Sequence, residues 1–236
     1  MSKRFTSDKP IITLFEDEHF IAFYKPAGLL AVPASARDGK ERSLEELVND
    51  RFRRRPEMQS QDVPTLHPCH RIDRETSGIM LFAKGKKNQQ LMMELFHQKK
   101  IEKKYTAFVH GRVTRPTGTI NFPVKDAYEA KFSPGGDGKD ALTHYRVLEV
   151  RKQFSIVEAM PVTGRTNQIR IHFKMIHHPI VGENKYIFRK DFALKFKRTA
   201  LHAAELAFEH PVTHEAVRIE ANLSVDMKNF LERNPV

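Results

Sequence analysis

The amino-acid sequence predicts an α+β fold, in which a mixed sheet is flanked by helices and loops. Three features of the first third of the chain predict this class. The β-prone runs 11–15 and 20–24 are separated by four polar residues, as in a hairpin. Ser43 and Glu46 form a capping box ahead of apolar residues at helical spacing. The apolar run 78–84 is too short for a core helix, so it indicates a buried strand.

The rest of the chain continues this mixture of strands and helices. Apolar residues at alternating or helical spacing predict strands at 105–109, 141–150, 154–160, 201–208 and 216–221, and helices at 91–96, at 169–176 and after Ser224. No internal repeat and no clear domain boundary interrupts these segments. We therefore expect one domain over 1–236, with 1–10 as an N-terminal extension.

The composition favours a polyanionic partner. Lysine and arginine number 40 against 29 aspartates and glutamates, a net charge of +11, which suits nucleic acid or an anionic membrane surface. No apolar run approaches the roughly 20 residues that span a bilayer, and the N-terminus lacks the apolar core of a secretory signal. The single cysteine, Cys69, excludes an internal disulfide and multi-thiolate zinc sites. We expect a soluble, cytoplasmic protein with no membrane partner.

The densest group of polar residues is HRIDRETSG at 70–78, directly before the strand predicted at 78–84. Asp73 stands at its centre. A loop with so many polar side chains next to an apolar strand either binds a ligand or is hydrogen-bonded by its surroundings. Taken alone, Asp73 and the neighbouring hydroxyl residues are better explained as turn caps, so other motifs must support a functional interpretation.

A second polar motif is GRTNQIRIH at 164–172. Helical spacing places Arg170 beside Phe173, so its guanidinium can lie on a core-facing flank, where it needs a carboxylate; Asp73 is a candidate partner. A phosphate-binding helix end at the surface would explain the same arginines. Tyr105, at the head of a predicted strand, could stack on a base or simply pack against the sheet.

Six motifs, taken together and in this order, resemble the RluA branch of the pseudouridine synthases. They are YKPAGLL (24–30), HRIDRETSGIMLFAK (70–84), KKYTAFVHG (103–111), GRTNQIRIH (164–172), HPIVGENKY (178–186) and LHAAELAFEHP (201–211). The resemblance implies a mixed, mainly antiparallel central sheet flanked by helices and loops, with the active-site cleft across it. It also implies isomerisation of uridine to pseudouridine in structured RNA, with no cofactor and no metal.

Two positions depart from the pattern of these relatives. Asn167 stands where they often have histidine, and Glu183 where they often have aspartate. Many relatives also carry a small S4-like RNA-binding module before the first hairpin. Because only about ten residues precede the hairpin here, we expect no such module, and the catalytic domain itself or a partner must find the RNA.

The resemblance assigns the chemistry to three residues. Asp73 is expected to be the catalytic carboxylate, Arg170 to keep it ionised, and Tyr105 to cover the uracil and relay the proton lost from carbon 5. The carboxylate could attack the ribose or carbon 6 of the ring, or it could remove the ribose 2′ proton. The residues themselves leave these routes open.

Six further residues are expected to bind the substrate. A uridine in a stem must be flipped out of the stack, and an inserted side chain can fill the gap. Arg71 is the candidate for this insertion, and Leu201 is expected to close the pocket against water. The expected set is Arg71, Arg74, Thr76, Arg165, Gln168 and Leu201. The lysines at 84–87 and 99–104 would hold the RNA backbone, although each one alone is explained as a solvated surface residue.

The main rival from another class is a catalytically inactive RNA-binding or ribosome-associated protein on the same fold. Intact Asp73, Tyr105 and Arg170 argue against it. A zinc-dependent nucleobase deaminase would need thiolate ligands that a chain with one cysteine does not supply. Its candidate ligands are His67, Cys69, His70, His214 and Glu215.

A protein-kinase loop is suggested by HRID at 70–73. An extra residue stands before the aspartate, however, and the chain has neither DFG nor a glycine-rich loop. We therefore expect a monomeric RNA pseudouridine synthase that acts on rRNA or tRNA. The sequence does not identify the uridine.

Overall fold

The computed structural model describes residues 11–33, 41–55, 63–124, 138–187 and 194–235. In these ranges the chain forms ten strands and four helices. They are β1 Thr13–Glu16, β2 Phe20–Lys25, α1 Leu44–Arg53, β3 Leu66–Pro68, β4 Ser77–Lys84, α2 Lys86–His97, β5 Glu102–His110, β6 Thr117–Asn121, β7 Leu142–Val150, β8 Phe154–Pro161, α3 Gln168–Met175, β9 Leu201–Glu209, β10 Ala216–Glu220 and α4 Val225–Arg233. The pairs β1–β2, β2–β4, β3–β4, β5–β8, β6–β7, β7–β8 and β9–β10 are antiparallel, which confirms the predicted α+β class with a mainly antiparallel sheet.

The chain divides into two compact units. Unit 1 takes the residues up to Ile101 together with Glu205–Asn222, and unit 2 takes Glu102–Ala204 together with those from Leu223 onward. Strand β9 therefore contributes residues to both units. The expectation of a single catalytic domain over 1–236 stays a prediction.

Unit 1 is built on the strand pair β2 and β4. Phe20 lies opposite Ala83 and Lys25 opposite Gly78. The second edge of β2 pairs with β1, and β4 also pairs with β3. Almost every residue of β2 and β4 is buried, and the apolar cluster on this pair includes Met92 of α2. This explains why 78–84 is a continuous apolar run instead of an alternating one.

Helix α1 begins at the predicted capping box. The Glu46 carboxylate accepts from the Ser43 backbone N–H at 2.7 Å, and the Glu46 N–H donates to the Ser43 hydroxyl at 3.3 Å. These two bonds satisfy backbone donors that the first helical turn leaves without partners. Leu44, Leu47 and Val48 form the buried stripe that the sequence spacing predicts.

In unit 2 the strands β5, β8, β7 and β6 lie side by side in this order. The rings of Phe108 and Phe154 contact Phe230 of α4, with centroids 5.8 and 5.3 Å apart, and Phe173 of α3 contacts Tyr145 of β7 at 5.7 Å. Both helices thus pack their apolar faces on the sheet of this unit. The predicted helix at 169–176 is confirmed as α3.

Two short strands were not predicted from the sequence. β3 pairs only with β4 among the described strands, and β6 only with β7. Each contains a residue that weakens a strand signal, Pro68 in β3 and Gly118 in β6. Such residues are tolerated at a sheet edge because one side of the strand has no ladder to satisfy. In the described ranges no helix is long and apolar enough to cross a membrane.

Candidate active site

The segment HRIDRETSG lies on a loop that enters β4, as predicted. Asp73 opens a four-residue turn in which the Thr76 N–H donates to the Asp73 carbonyl at 3.0 Å, and β4 begins at the next residue, Ser77. Asp73 is half-buried, whereas Thr76 is only 2% exposed. The carboxylate therefore stands at the boundary between a buried strand and solvent.

A buried lysine holds this turn in place. The ammonium of Lys25, which is fully buried, donates to the carbonyls of Leu29 at 2.8 Å, Arg74 at 3.0 Å and Pro26 at 3.1 Å. The Gly28 N–H donates to the same Arg74 carbonyl at 2.8 Å. The loop after β2 and the Asp73 turn are thus tied together through one carbonyl oxygen. Lys25 was not among the predicted site residues.

The two arginines beside Asp73 differ in their surroundings. Arg74 is exposed, yet its Nε donates to the Gly28 carbonyl at 3.1 Å and its Nη2 contacts the Glu41 carboxylate at 2.7 Å. Arg71 is also exposed, and among the described residues none forms a hydrogen bond or ion pair with it. Ile72 between Arg71 and Asp73 is buried, so the two polar side chains point away from the core, as the alternation of an extended segment requires.

The zinc-site interpretation of this region is not supported by its geometry. The imidazole Nε2 of His70 accepts the Leu81 backbone N–H at 3.1 Å. Cys69 is buried, and burial raises the pKa of its thiol far above the usual range. A thiol that stays protonated is a poor metal ligand.

Arg170 on α3 is held by a carboxylate within its own unit. Its Nε and Nη2 donate to the two oxygens of Glu183 at 2.7 and 2.8 Å, in a bidentate pair. Its Nη1 donates to the Asn167 side-chain oxygen at 2.6 Å, and its guanidinium lies 5.4 Å from the ring centre of Tyr186. Arg170 is 7% exposed. The orientation of the Arg170 guanidinium is therefore fixed by three side chains, those of Glu183, Asn167 and Tyr186.

Glu183 was expected only as a departure from the relatives, and its pairing with Arg170 was not predicted from the sequence. Its side chain has no exposed surface, and one oxygen also accepts the N–H groups of Asn184 at 3.0 Å and Lys185 at 2.8 Å. Burial alone would raise the pKa of Glu183, but the hydrogen bonds and charge of Arg170, together with the two backbone N–H groups, bring it below its ordinary value. The pair is therefore ionised at neutral pH. The predicted pairing of Arg170 with Asp73 stays a prediction.

Two backbone positions place this pair. Gly182 has φ +81°, and a Cβ there would lie 1.9 Å from the Arg198 carbonyl oxygen, so only glycine fits before Glu183. Asn167 has φ +57° and precedes α3 in the left-handed conformation, which asparagine tolerates better than most residues. Asparagine at this position therefore both starts the helix and contacts Arg170.

The side-chain amide of Gln168 makes all four of its hydrogen bonds to other protein groups. Its oxygen accepts from the Thr163 hydroxyl at 2.6 Å and the Arg165 N–H at 3.0 Å, and its nitrogen donates to the Leu142 carbonyl and the Thr143 hydroxyl, both at 2.9 Å. The residue is 3% exposed. It therefore fastens the GRTNQ turn to β7.

Arg165 and Tyr105 lie at the surface of unit 2. Arg165 is exposed and its Nε donates to the Asp140 carbonyl at 3.1 Å. Tyr105 is half-buried on β5 opposite Ala159 and packs partly against the apolar core. Lys103, two residues earlier, shares its side of the strand, and burial lowers the pKa of that lysine.

Leu201 opens β9 and is 4% exposed within the apolar core of unit 2. Arg198 fixes its backbone, because one guanidinium nitrogen donates to the carbonyls of Thr199 at 2.9 Å and Leu201 at 3.2 Å. The Nε and Nη2 atoms of Arg198 donate to the two carboxylate oxygens of Asp226 at 2.6 and 2.9 Å, in a bidentate pair. The start of β9 is thereby tied to the first turn of α4.

Comparison with known proteins now identifies the family. The sequence profile described as RNA pseudouridylate synthase matches residues 19–175. The chain belongs to this family. A dual-specificity RNA pseudouridine synthase RluA of Vibrio cholerae is 34% identical over 88% of this chain and 80% of the relative. A ribosomal large subunit pseudouridine synthase D of Xanthomonas campestris is 34% identical over 95% of this chain and 69% of the relative.

The solved structure of human RNA Pseudouridylate Synthase Domain Containing 4 has the same fold, with a TM-score of 0.76, 23% identity, and coverage of 94% of this chain and 92% of that one. Family membership confirms the expected activity, which is isomerisation of uridine in RNA by an RNA pseudouridine synthase. An inactive protein on the same fold is not favoured. Asp73, Tyr105 and Arg170 all lie inside the matched range, whereas Glu183 and Leu201 lie beyond it.

Proposed function

We propose that Asp73 is the catalytic carboxylate and that it isomerises a uridine flipped out of a structured RNA. The observation that carries this proposal is the fixed turn around Asp73. Buried Lys25 and the Gly28 N–H both hold the carbonyl of the next residue, Arg74. A surface aspartate that only caps a turn needs no such support, whereas a reacting carboxylate must be held in position before the substrate arrives.

The reaction breaks the bond from ribose to nitrogen 1 of uracil, turns the base, and joins the ribose to carbon 5, which gives up its proton. Asp73 serves it in the ionised form, either as a nucleophile or as the base that removes the ribose 2′ proton. Arg170 favours that ionised form, and Tyr105 covers the uracil and relays the carbon 5 proton. The bidentate pair with Glu183 supports this role for Arg170, because it fixes the direction of the guanidinium.

The six residues expected to bind the substrate differ in their contacts, and we assign their roles accordingly. Exposed Arg71 fills the space that the flipped uridine leaves, and exposed Arg165 contacts the RNA backbone. Arg74, Thr76 and Leu201 line the substrate-binding region, where Leu201 excludes water. Gln168 makes four bonds to protein, so we assign it a positioning role, in which it holds the turn that carries Arg165.

The RNA substrate is proposed to be ribosomal or transfer RNA. A relative is named for the ribosomal large subunit, which supports ribosomal RNA as the first to examine. We further propose that the enzyme works as a cytoplasmic monomer, without metal or cofactor. The net charge of +11 supports tight binding of an RNA backbone.

The test compares Asp73→Asn with wild type. The assay is tritium release from RNA labelled at carbon 5 of uridine, together with mapping of pseudouridines in total RNA from cells with the gene, without it, and with the variant. Asp73→Asn should lose at least about a hundredfold in rate, the scale of a positioned acid or base. Asp50→Asn, an exposed aspartate on α1, is the matched control and should keep full activity. Wild-type tritium release by Asp73→Asn would refute the assignment.

A further inference from the structure

A cluster of cations in unit 1 lies outside the candidate active site. We call it the basic patch. It consists of residues at the end of α1 and residues at the junction of β4 and α2, namely Arg53, Arg54, Arg55, Lys84, Lys86 and Lys87. The two groups are about 30 residues apart in the sequence, so only the fold brings them together.

Strand β3 joins the two halves of the patch. The Asn49 side chain of α1 donates to the Leu66 carbonyl at 2.9 Å and accepts the Leu66 N–H at 2.8 Å. On the side of α2, Gln89 donates to the Pro68 carbonyl at 2.9 Å. Both helices are therefore bonded to the same three-residue strand, and the end of α1 lies near the start of α2.

Phe52 and Glu16 form the centre of the patch. Arg55 and Lys84 both lie over the buried Phe52 ring, with their charged groups 5.0 and 5.5 Å from its centre. The same two cations share one oxygen of Glu16, at 2.7 and 2.9 Å. Glu16 thus neutralises part of the centre. Burial alone would raise the pKa of Glu16. The hydrogen bonds and charges of Arg55 and Lys84 outweigh this effect and bring the pKa below its usual value.

The outer cations have no such neutralisation. In the described ranges no carboxylate forms an ion pair with Arg53, Arg54, Lys86 or Lys87, and all four are exposed. Lys86 and Lys87 stand in the first turn of α2, which has no acidic residue and no side-chain cap. Cations are unfavourable at that end of a helix, so these lysines do not serve the stability of α2. A polyanionic partner accounts for them.

We propose that the basic patch binds the RNA backbone at a distance from the target uridine, an inference that rests on the proposed function. Strand β4 runs from the Asp73 turn to Lys84, and the seven steps between its eight residues, at about 3.3 Å each, separate the two by roughly 23 Å. At about 3.4 Å per step of a stacked strand, this is roughly seven nucleotides. The patch therefore contributes affinity only for RNA that extends at least that far from the flipped base.

The test uses the fourfold variant Arg53→Gln, Arg54→Gln, Lys86→Gln, Lys87→Gln. Its control is an equal loss of charge at exposed sites of unit 2, namely Arg112→Gln, Arg115→Gln, Lys228→Gln and Arg233→Gln. Each protein is assayed on a long transcript, with about 25 nucleotides on each side of the mapped uridine, and on a short one with about four, which cannot reach the patch. Thermal denaturation verifies that both variants are folded.

The patch variant should raise KM for the long transcript at least tenfold and leave kcat within twofold. On the short transcript it should match wild type. The logarithm of the association constant falls with log salt by about 0.9 for each phosphate contact. Four lost contacts should therefore make this negative slope less steep by about 3 to 4. An equal rise in KM for the control, an equal rise on the short transcript, or an unchanged KM on the long one would each overturn the proposal.

Binding of a fluorescein-labelled RNA hairpin of about 24 base pairs, followed by anisotropy, gives a reading that does not depend on turnover. The proposed function fails if Asp73→Asn releases tritium at the wild-type rate. The patch proposal fails if the patch and control variants bind this hairpin equally well. The two failures are thus separate.

Discussion

Replacing Glu183 by glutamine is expected to destabilise the protein strongly, although the change conserves size and shape. The substitution leaves Arg170, 7% exposed, without its buried counter-charge. The new amide also turns an N–H₂ group toward donors, because both oxygens of Glu183 accept hydrogen bonds from N–H groups. Removing one partner of a buried ion pair costs about 3 to 5 kcal/mol.

This free energy converts to a measurable melting shift. For a chain of 150 to 250 residues, 1 kcal/mol corresponds to about 2 to 4 °C, so Tm should fall by roughly 6 to 20 °C. The assay is thermal and urea denaturation followed by circular dichroism. Glu158→Gln is the matched control, since Glu158 pairs at 3.0 Å with Arg146, whose side chain is 57% exposed. The Glu158 side chain is 17% exposed, but its arginine partner stays largely in solvent, so the pair should contribute only about 0 to 1 kcal/mol and the control should melt near wild type.

The same variant also tests the link to catalysis. If Glu183 directs Arg170, kcat of Glu183→Gln should fall even at temperatures where the protein is fully folded. Glu183→Asp keeps the charge but shortens the side chain by one carbon, so it should recover part of both stability and rate. The reasoning is refuted if Glu183→Gln unfolds within 0.5 kcal/mol of Glu158→Gln, a difference of about the size expected for a surface substitution.

Two further predictions concern pH and the lysine below the Asp73 turn. Because the pKa of Glu183 is lowered in the folded state, its contribution to stability is complete above the unfolded pKa of about 4.3 and is lost as pH falls through the folded pKa. The difference in unfolding free energy between wild type and Glu183→Gln, measured by urea titration, should therefore narrow as pH falls below about 4.3; a difference that stays constant down to about pH 3 contradicts this. Lys25→Met removes the donor that the carbonyls of Leu29, Pro26 and Arg74 share, although Arg74 keeps the Gly28 N–H; this should cost about 1 to 3 kcal/mol and lower kcat, unlike Lys152→Met at an exposed site.

Features set by neighbouring residues were predictable from the sequence. The capping box at Ser43 and Glu46 needs only a spacing of three, and the turn before β4 follows from polar residues next to an apolar run. The apolar stripe of α3 likewise follows from its own periodicity. In each case the interacting groups lie within one turn or one strand, so the pattern in the sequence contains the geometry.

Features set by distant residues were not predictable in this way. Glu183 reaches Arg170 across 13 positions, and what brings them together is the left-handed turn at Gly182 against the Arg198 carbonyl. Lys25 holds a carbonyl 49 positions away. Sequence spacing also cannot tell whether an amide such as Gln168 faces RNA or protein, because that depends on which strand passes beside it.

Buried cations hold the segments of the candidate site, and we propose that exposed cations contact the RNA. Lys25 fixes the Asp73 turn, the Glu183 pair fixes Arg170, and Arg198 fixes the carbonyl of Leu201. A buried cation with its acceptors in place is costly to displace, so each of these segments keeps its geometry without substrate. Arg71, by contrast, is exposed and has no bonded partner among the described residues. If it fills the gap left by the flipped uridine, Arg71→Ala should slow the reaction on folded RNA but not on an unstructured oligonucleotide, since only a stacked base must be extruded.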